Sequence, residues 1–255
     1  MNDCRINIGG VLFHNVTLLE AADCVEAQIK SYDGVSGGEL LLVANQDILN
    51  KVAHYKDLSY NDLNSSFLTI PDGYSIIYGA RYLGTPLKER VTGPDLMAHI
   101  IEISCVKQYT HFFLGAAEGV AEKMSENFTA SYPGLVVKGF YSPPFGDFTA
   151  DEDKKIIDMI NKVKPDILWV SFGCPKQEWW IARNKHDIKV PVIAGVGAAF
   201  DFHSGNKKRA PVIIQKMRLE WMYRILQEPG RLWRRYFDGG FAYIKILIQQ
   251  KKVNK

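Results

Sequence analysis

The stretch from Pro165 to Gly205, PDILWVSFGCPKQEWWIARNKHDIKVPVIAGVGAAFDFHSG, decides the fold class. It holds an apolar run at Ile167–Phe172, a helical segment at Lys176–Lys185, and a second apolar run at Val190–Ala194. Neither run alternates apolar with polar residues, so both read as strands covered on both faces. Two such strands joined by a helix make a β-α-β unit, which calls for a parallel sheet.

The same alternation extends outward. Toward the N-terminus come an apolar strand at Leu40–Ala44 and a helix at Gln46–Tyr55. A short strand at Phe67–Ile70 follows, ending in Pro71-Asp72-Gly73, with a helix after it to Leu83. Pro94 fits the first turn of the next helix, which runs to Lys107. His111–Leu114 and Leu135–Lys138 read as strands, and Ala117–Ala130 and Thr149–Val163 as helices. The start reads as a small hairpin, Arg5–Ile8 and Val11–Phe13, about Gly9-Gly10. Thr17 with Glu20 is a capping box opening a helix to Lys30. Strand signals stop after Lys207, where two helices are expected. The expected fold is α/β: a Rossmann-like, mostly parallel sheet with helices on both faces, plus a basic helical appendage at the C-terminus. The expected division is a core over 1–206 and an appendage over 207–255.

Composition agrees with a globular chain. Of 255 residues, 47% are apolar and 23% charged, enough to bury a core of ordinary size. Cys4, Cys24, Cys105 and Cys174 form no Cys-x-x-Cys pair and no zinc spacing, so they read as thiols of a reducing compartment. No secretory leader and no membrane-spanning run is visible, so a cytoplasmic protein is expected. The net charge of +3 is unevenly spread. Lys207–Lys255 holds 13 basic and 3 acidic residues, giving +10, and the first 206 residues hold 18 and 25, giving −7. Such asymmetry points the C-terminal end at an anionic partner. An anionic membrane surface suits its interleaved aromatics; nucleic acid does not, because no recognised binding module is present.

In an open parallel sheet, ligands bind beyond the carboxyl ends of the strands, so the loops there carry the chemistry. Gly115-Ala116-Ala117-Glu118-Gly119 suits either a diphosphate at a helix N-terminus or tight strand–helix packing. Gly173–Trp180 places Lys176 and Gln177 over the strand ends, with Pro175 at the first helical position. In Gly195–Gly205, Asp201 suits a sugar hydroxyl or a loop cap, and His203 reads as structural. Asp72 sits in a turn sequence, yet also at a strand end with a helix behind it, where a general base would stand. Asp151-Glu152-Asp153 has the literal D-x-D pattern of a metal–nucleotide site but reads better as the acidic first turn of a helix capped by Thr149.

Together these loops resemble one family. The strings PDG at 71–73, ERVTGPDL at 89–96, LGAAEGVAEK at 114–123, PDILWVSFGCPKQEWWI at 165–181, GVGAAFDFHSG at 195–205, KRAP at 208–211 and LEWMYRILQEPGRLWRRY at 219–236 are similar, in order, to the WecG/TagA/CpsF glycosyltransferases. The resemblance implies transfer of a sugar, N-acetylmannosamine, its uronic acid or another hexose, from a UDP-sugar to an undecaprenyl-diphosphate-linked acceptor. It implies inversion, no tightly bound metal or other cofactor, and work at the inner face of the plasma membrane. By position it makes Asp72 the catalytic base. It puts Asn45, Gly115, Gln177 and Asp201 in the substrate pocket, and Arg224, Arg231 and Arg234 on a basic segment that closes the site. Arg224 and Arg231 are then the groups expected to stabilise the departing diphosphate. Two positions depart from the family pattern: Val43 stands where Thr is usual, and Arg218 where Gly usually precedes Leu-Glu-Trp. Two other classes compete, a nucleotide-dependent oxidoreductase or epimerase and a non-catalytic membrane adaptor. The first lacks an early dinucleotide fingerprint, and the second leaves Asp72, Gln177 and Asp201 unexplained. Self-association stays open.

Overall fold

The computed structural model describes residues 5–253, except the side chains of Arg231 and Arg235. The leaving-group role expected of Arg231, and the thiol of Cys4, lie outside the described residues. The chain opens with an antiparallel hairpin, β1 (Ile6–Ile8) and β2 (Val11–Phe13). Its turn residues Gly9 and Gly10 take φ of 61° and 89°, as a two-residue hairpin turn requires. Helix α1 (Leu18–Ser31) starts at the Thr17–Glu20 capping box. There follow β3 (Glu39–Ala44), α2 (Gln46–Val52), α3 (Tyr60–Asn64), β4 (Leu68–Pro71), α4 (Tyr74–Leu83) and α5 (Gly93–Lys107). Then come β5 (Thr110–Gly115), α6 (Val120–Ser131), β6 (Val136–Tyr141), α7 (Ala150–Val163), β7 (Ile167–Ser171), α8 (Lys176–Asn184), β8 (Val192–Gly195) and α9 (Ala199–His203). The strands β3 to β8 form one six-stranded sheet in the order β4-β3-β8-β7-β5-β6, and every neighbouring pair is parallel.

The continuous apolar runs have a direct structural meaning. Along β3, Leu40, Leu42 and Ala44 enter one buried cluster, while Leu41 and Val43 enter a second. In β7, Leu168 and Val170 join the first cluster and Ile167 and Trp169 the second. Successive side chains point to opposite faces, so a strand covered on both sides must be apolar at every position. The first face is covered by the hairpin and by α2, α4, α7 and α8; the second by α1, α5, α6 and α9. His111 is buried on the second face, and its Nδ1 accepts a 3.0 Å hydrogen bond from Trp169 Nε1. Burial alone drops its pKa to about 3, so this ring is neutral.

The C-terminal segment holds three helices where two were expected: α10 (Val212–Lys216), α11 (Glu220–Gln227) and α12 (Pro229–Val253). The extra break falls at Arg218, whose φ of 64° ends α10. Arg218 N–H bonds Gln215 O and Leu219 N–H bonds Ile214 O, the paired bonds of a helix stop with a left-handed residue just past the cap. Helix α12 then packs on the first face of the sheet. Tyr243 and Leu247 are buried in that cluster. Tyr243 Oη donates to Ser75 O at 3.2 Å, and a Cβ on Gly79 would lie 2.1 Å from that oxygen, so α4 needs glycine there. Gln250 also clasps the hairpin: its Oε1 accepts from Gly9 N at 2.8 Å and its Nε2 donates to Asn7 O at 2.9 Å. The basic end of the chain is thus joined to the core at its far terminus.

Leu247→Ala is therefore expected to cost about 2–4 kcal/mol of stability, as a core truncation does, measured by denaturant unfolding. A change within about 0.5 kcal/mol, typical of a surface site, would mean that α12 is not part of the core.

Candidate active site

Parallel strands point all their carboxyl ends the same way, and the loops leaving them here enclose a cleft of about 1440 Å³. Asn45, Asp72, Gln177, Asp201, Arg224 and Arg234 all line it. Asp72 follows the edge strand β4, and Ala116 and Ala117 follow β5, four strands away in the sheet order. At about 4.8 Å per strand the cleft runs on the order of 19 Å along the strand ends, long enough for two substrates side by side.

Each residue has a local reason for its place. Asn45 caps α2, its Oδ1 accepting from Asp47 N at 2.9 Å, which leaves the amide nitrogen for a ligand. Asp72 is pinned by its own N–H bonding Ala44 O at 2.8 Å. Gly73, with φ of 114°, then turns the chain into α4. Asp201 accepts from Asn206 Nδ2 at 2.7 Å and pairs with Lys207 at 3.2 Å. Arg224 lies over the Phe202 ring, 5.5 Å from its centroid. Val43 presents its methyls to the cleft beside Gly93, whose missing Cβ would lie 3.3 Å from Val43 Cγ1.

Gly115 itself does not line the cleft. It is buried, and a Cβ there would lie 2.6 Å from the Ser171 carbonyl oxygen, so β5 can approach β7 only with glycine. Of the two readings open for this loop, packing accounts for Gly115, while Ala116 and Ala117 reach the cleft. Pro175 stands at the cap of α8, not at its first helical position. The D-x-D string is a helix start, as expected: Thr149 and Glu152 form a capping box, and Asp153 is buried, accepting from Trp180 Nε1 at 2.7 Å. His203 is structural too, with Nε2 3.1 Å from Pro94 O and its ring against Phe128. Among the described residues, no group of three or more His, Cys, Asp or Glu side chains is placed to hold a metal ion.

Several site residues were not singled out from the sequence. Glu178 is fully buried beside Gln177, which donates from Nε2 to Glu178 Oε1 at 2.8 Å. Gln177 Oε1 and Glu178 Oε2 have no hydrogen-bond partner among the described residues, although both residues line the cleft. Gly195 makes room for this pair, since a Cβ there would lie 3.0 Å from Gln177 Nε2. Burial pushes the Glu178 carboxyl up to about 7, with Asp47 adding to the rise and Gln177 and Lys51 opposing it. Lys51 in turn bonds Asp47 at 2.9 Å and Cys174 O at 3.0 Å, tying α2 to the loop before α8. Across the cleft, Arg209 forks onto both oxygens of Asp95 and lies 3.5 Å from Glu220, whose other oxygen takes Arg90 at 3.0 Å. Burial alone would raise the Asp95 carboxyl, but hydrogen bonds from Arg209 and Thr92 hold it below its ordinary range. This chain of charges clasps α11 onto the start of α5, fixing one wall of the cleft. Its only sequence signal was the motif strings themselves, because a buried charge and a solvated one look alike in a sequence.

Comparison with known proteins shows the family. The glycosyl transferase WecG/TagA/CpsF family profile matches residues 6–255. A Staphylococcus aureus (strain MW2) protein named N-acetylglucosaminyldiphosphoundecaprenol N-acetyl-beta-D-mannosaminyltransferase is 29% identical over 255 residues, covering 100% of this chain and 96% of its own. A Bacillus spizizenii protein of the same name is 34% identical over 173 residues, 68% of this chain and 65% of its own.

The buried Glu178 makes a testable statement about pH. Its folded-state pKa lies above the ordinary 4.5, so the stability of its neutral form is full below about 4.5 and is lost as pH rises through about 7. Glu178→Gln keeps the shape and removes the charge. The variant is expected to gain about 1–3 kcal/mol over the parent at pH 8 relative to pH 5, read from unfolding midpoints. An equal difference at both pH values would show that the carboxyl titrates normally.

Proposed function

Since the chain belongs to the WecG/TagA/CpsF family of glycosyl transferases, we propose that it moves a sugar from a UDP-sugar to a polyprenyl-diphosphate-linked acceptor with inversion at the anomeric carbon. One observation carries this reading: Asp72, Asn45, Gln177, Asp201, Arg224 and Arg234 converge on one cleft at the strand ends. Asp72 takes the proton of the acceptor hydroxyl, whose oxygen attacks the anomeric carbon as the bond to UDP breaks on the opposite face. Charge building on the departing diphosphate is met by Arg224 and Arg234 and by the backbone at Ala116–Ala117, which removes the need for a metal ion. N-acetylmannosamine is the donor sugar of first choice, because the Staphylococcus and Bacillus relatives are named for its transfer. Its uronic acid and other hexoses are the alternatives, because Val43 offers the pocket methyls in place of a hydroxyl.

The acceptor's lipid directs the enzyme to the cytoplasmic face of the membrane. No described helix is long and apolar enough to cross a bilayer; the attachment proposed is a peripheral one made by the C-terminal helices. The C-terminal helices expose Ile213, Met217, Leu226, Trp233 and Phe241 to between 55% and 75%, within the segment of +10 charge. Apolar side chains inserted at the headgroup level and basic ones facing anionic lipid, at about 1 kcal/mol each, reinforce one another.

Asp72→Asn is expected to slow transfer by at least about 100-fold while UDP affinity, measured by calorimetry, stays within a few-fold; the parent is expected to keep its turnover in EDTA. Activity of the variant within about tenfold of the parent would remove Asp72 as the base, and loss of turnover in EDTA, restored by added Mg²⁺ or Mn²⁺, would overturn metal independence. In sedimentation with phosphatidylglycerol vesicles, the parent should bind at low salt and release as salt rises, and Leu226→Asp with Phe241→Asp should bind at least about fivefold more weakly. A parent that ignores such vesicles at low salt refutes the membrane role.

A further inference from the structure

Arg218 holds a backbone conformation that favours glycine, and its side chain explains why an arginine is kept there. Its φ is 64° at the stop of α10, where a residue with a Cβ is strained and glycine is the usual occupant. The guanidinium lies over two rings at the rim of the cleft, 5.2 Å from the centroid of Tyr74 and 5.8 Å from that of Tyr78. Its Nη1 donates to Tyr78 Oη at 3.0 Å. All three residues line the cleft. The neighbouring cations Arg90 and Arg209 are each paired with a carboxylate, whereas Arg218 makes no ion pair among the described residues and is exposed. Arg90 shares the Tyr74 ring, 4.7 Å from its centroid, but its charge is paired; the exposed Arg218 guanidinium gives only Nη1 to Tyr78 and keeps other N–H donors that can take a phosphate in bidentate fashion.

We propose that Arg218, seated on Tyr74 and Tyr78, binds the diphosphate of the lipid-linked acceptor. This rests on the transferase reading above and adds to it which phosphate this arginine reads. The acceptor joins a prenyl chain, a diphosphate and a sugar hydroxyl in series, and the surface offers their partners in the same order. Ile213 on α10 and Met217 at its C-cap, 73% and 60% exposed, come just before Arg218. Tyr74, which carries the guanidinium, stands two residues after Asp72, the base for the sugar hydroxyl. The diphosphate of the donor belongs instead with Ala116 and Ala117, four strands away.

The test compares the full-length parent with Arg218→Gly and Arg218→Lys, using farnesyl diphosphate and UDP as calorimetric probes and thermal unfolding as the structural control. Arg218→Gly is expected to weaken farnesyl diphosphate at least about tenfold, as loss of a charge-assisted pair does. UDP affinity should stay within about twofold, and Tm should hold or rise because glycine relaxes the left-handed turn. Arg218→Lys, a point charge without the fork, should fall between the two. In turnover, Arg218→Gly should raise KM for the acceptor and leave KM for the donor. Unchanged farnesyl diphosphate binding, failure of the parent to bind it, or weakening of UDP in its place would overturn the assignment. A lowered Tm in Arg218→Gly would also overturn it, by making the arginine structural. Absence of transfer by the parent alongside the expected binding loss would sink the transferase reading and leave the diphosphate site standing.

Discussion

The inner strands of a parallel sheet have no face turned to water, and this constraint orders the rest of the molecule. An inner strand is covered on both sides, so Leu40 to Ala44 divide between two buried clusters with no polar side chain among them, while only the edge strand β6 is exposed along its length. Each connection must cross back over the sheet, so helices cover both faces. All carboxyl ends therefore emerge together, and polar chemistry is confined to the loops along one edge of the layer. In this chain the crossover leaving β5 runs outward to β6 and the one leaving β7 runs back to β8. Loops diverging in that way open the cleft between them.

Within the cleft, polar groups are held by burial and by neighbours chosen for their small size. Gly195 accommodates Gln177, and Gly115 lets β5 approach the Ser171 carbonyl. The Gln177–Glu178 pair keeps two oxygens without a partner among the described residues under the cleft, a costly arrangement unless a ligand or a proton satisfies them. The upward shift of the Glu178 carboxyl is the protein's own answer: the neutral form is the cheaper one to bury. On the opposite wall the Asp95–Arg209–Glu220–Arg90 chain binds the C-terminal helices to α5, so the arginines of that segment meet the cleft in a fixed setting. The same segment is anchored at its other end by Tyr243, Leu247 and Gln250. One wall of the cleft and part of the core packing are therefore properties of one continuous piece of chain.

Much of this was legible in the sequence, for physical reasons. Short apolar runs with no alternation, spaced by helical segments, suit strands covered twice, and the helices between them imply the parallel sense. Capping residues fixed helix starts at Thr17 and Thr149, because a side-chain oxygen satisfying a free N–H is a local event. The same local rule separated Asp151–Asp153 from a metal site. Asp72, Gln177 and Asp201 were picked out because strand-end loops are recognisable once strands are, and Asn45 by the family resemblance; all four line the cleft. What needed the tertiary structure was everything set by distant partners. Strand order, the burial of Glu178, the ring of charges around Arg209 and the packing of α12 depend on contacts between residues far apart in the chain. Arg218 shows the division within one residue: its sequence reveals a positive charge where glycine is usual, but the left-handed turn and the two tyrosines beneath it exist only in the fold, because a backbone angle and a ring platform are fixed by packing and not by composition.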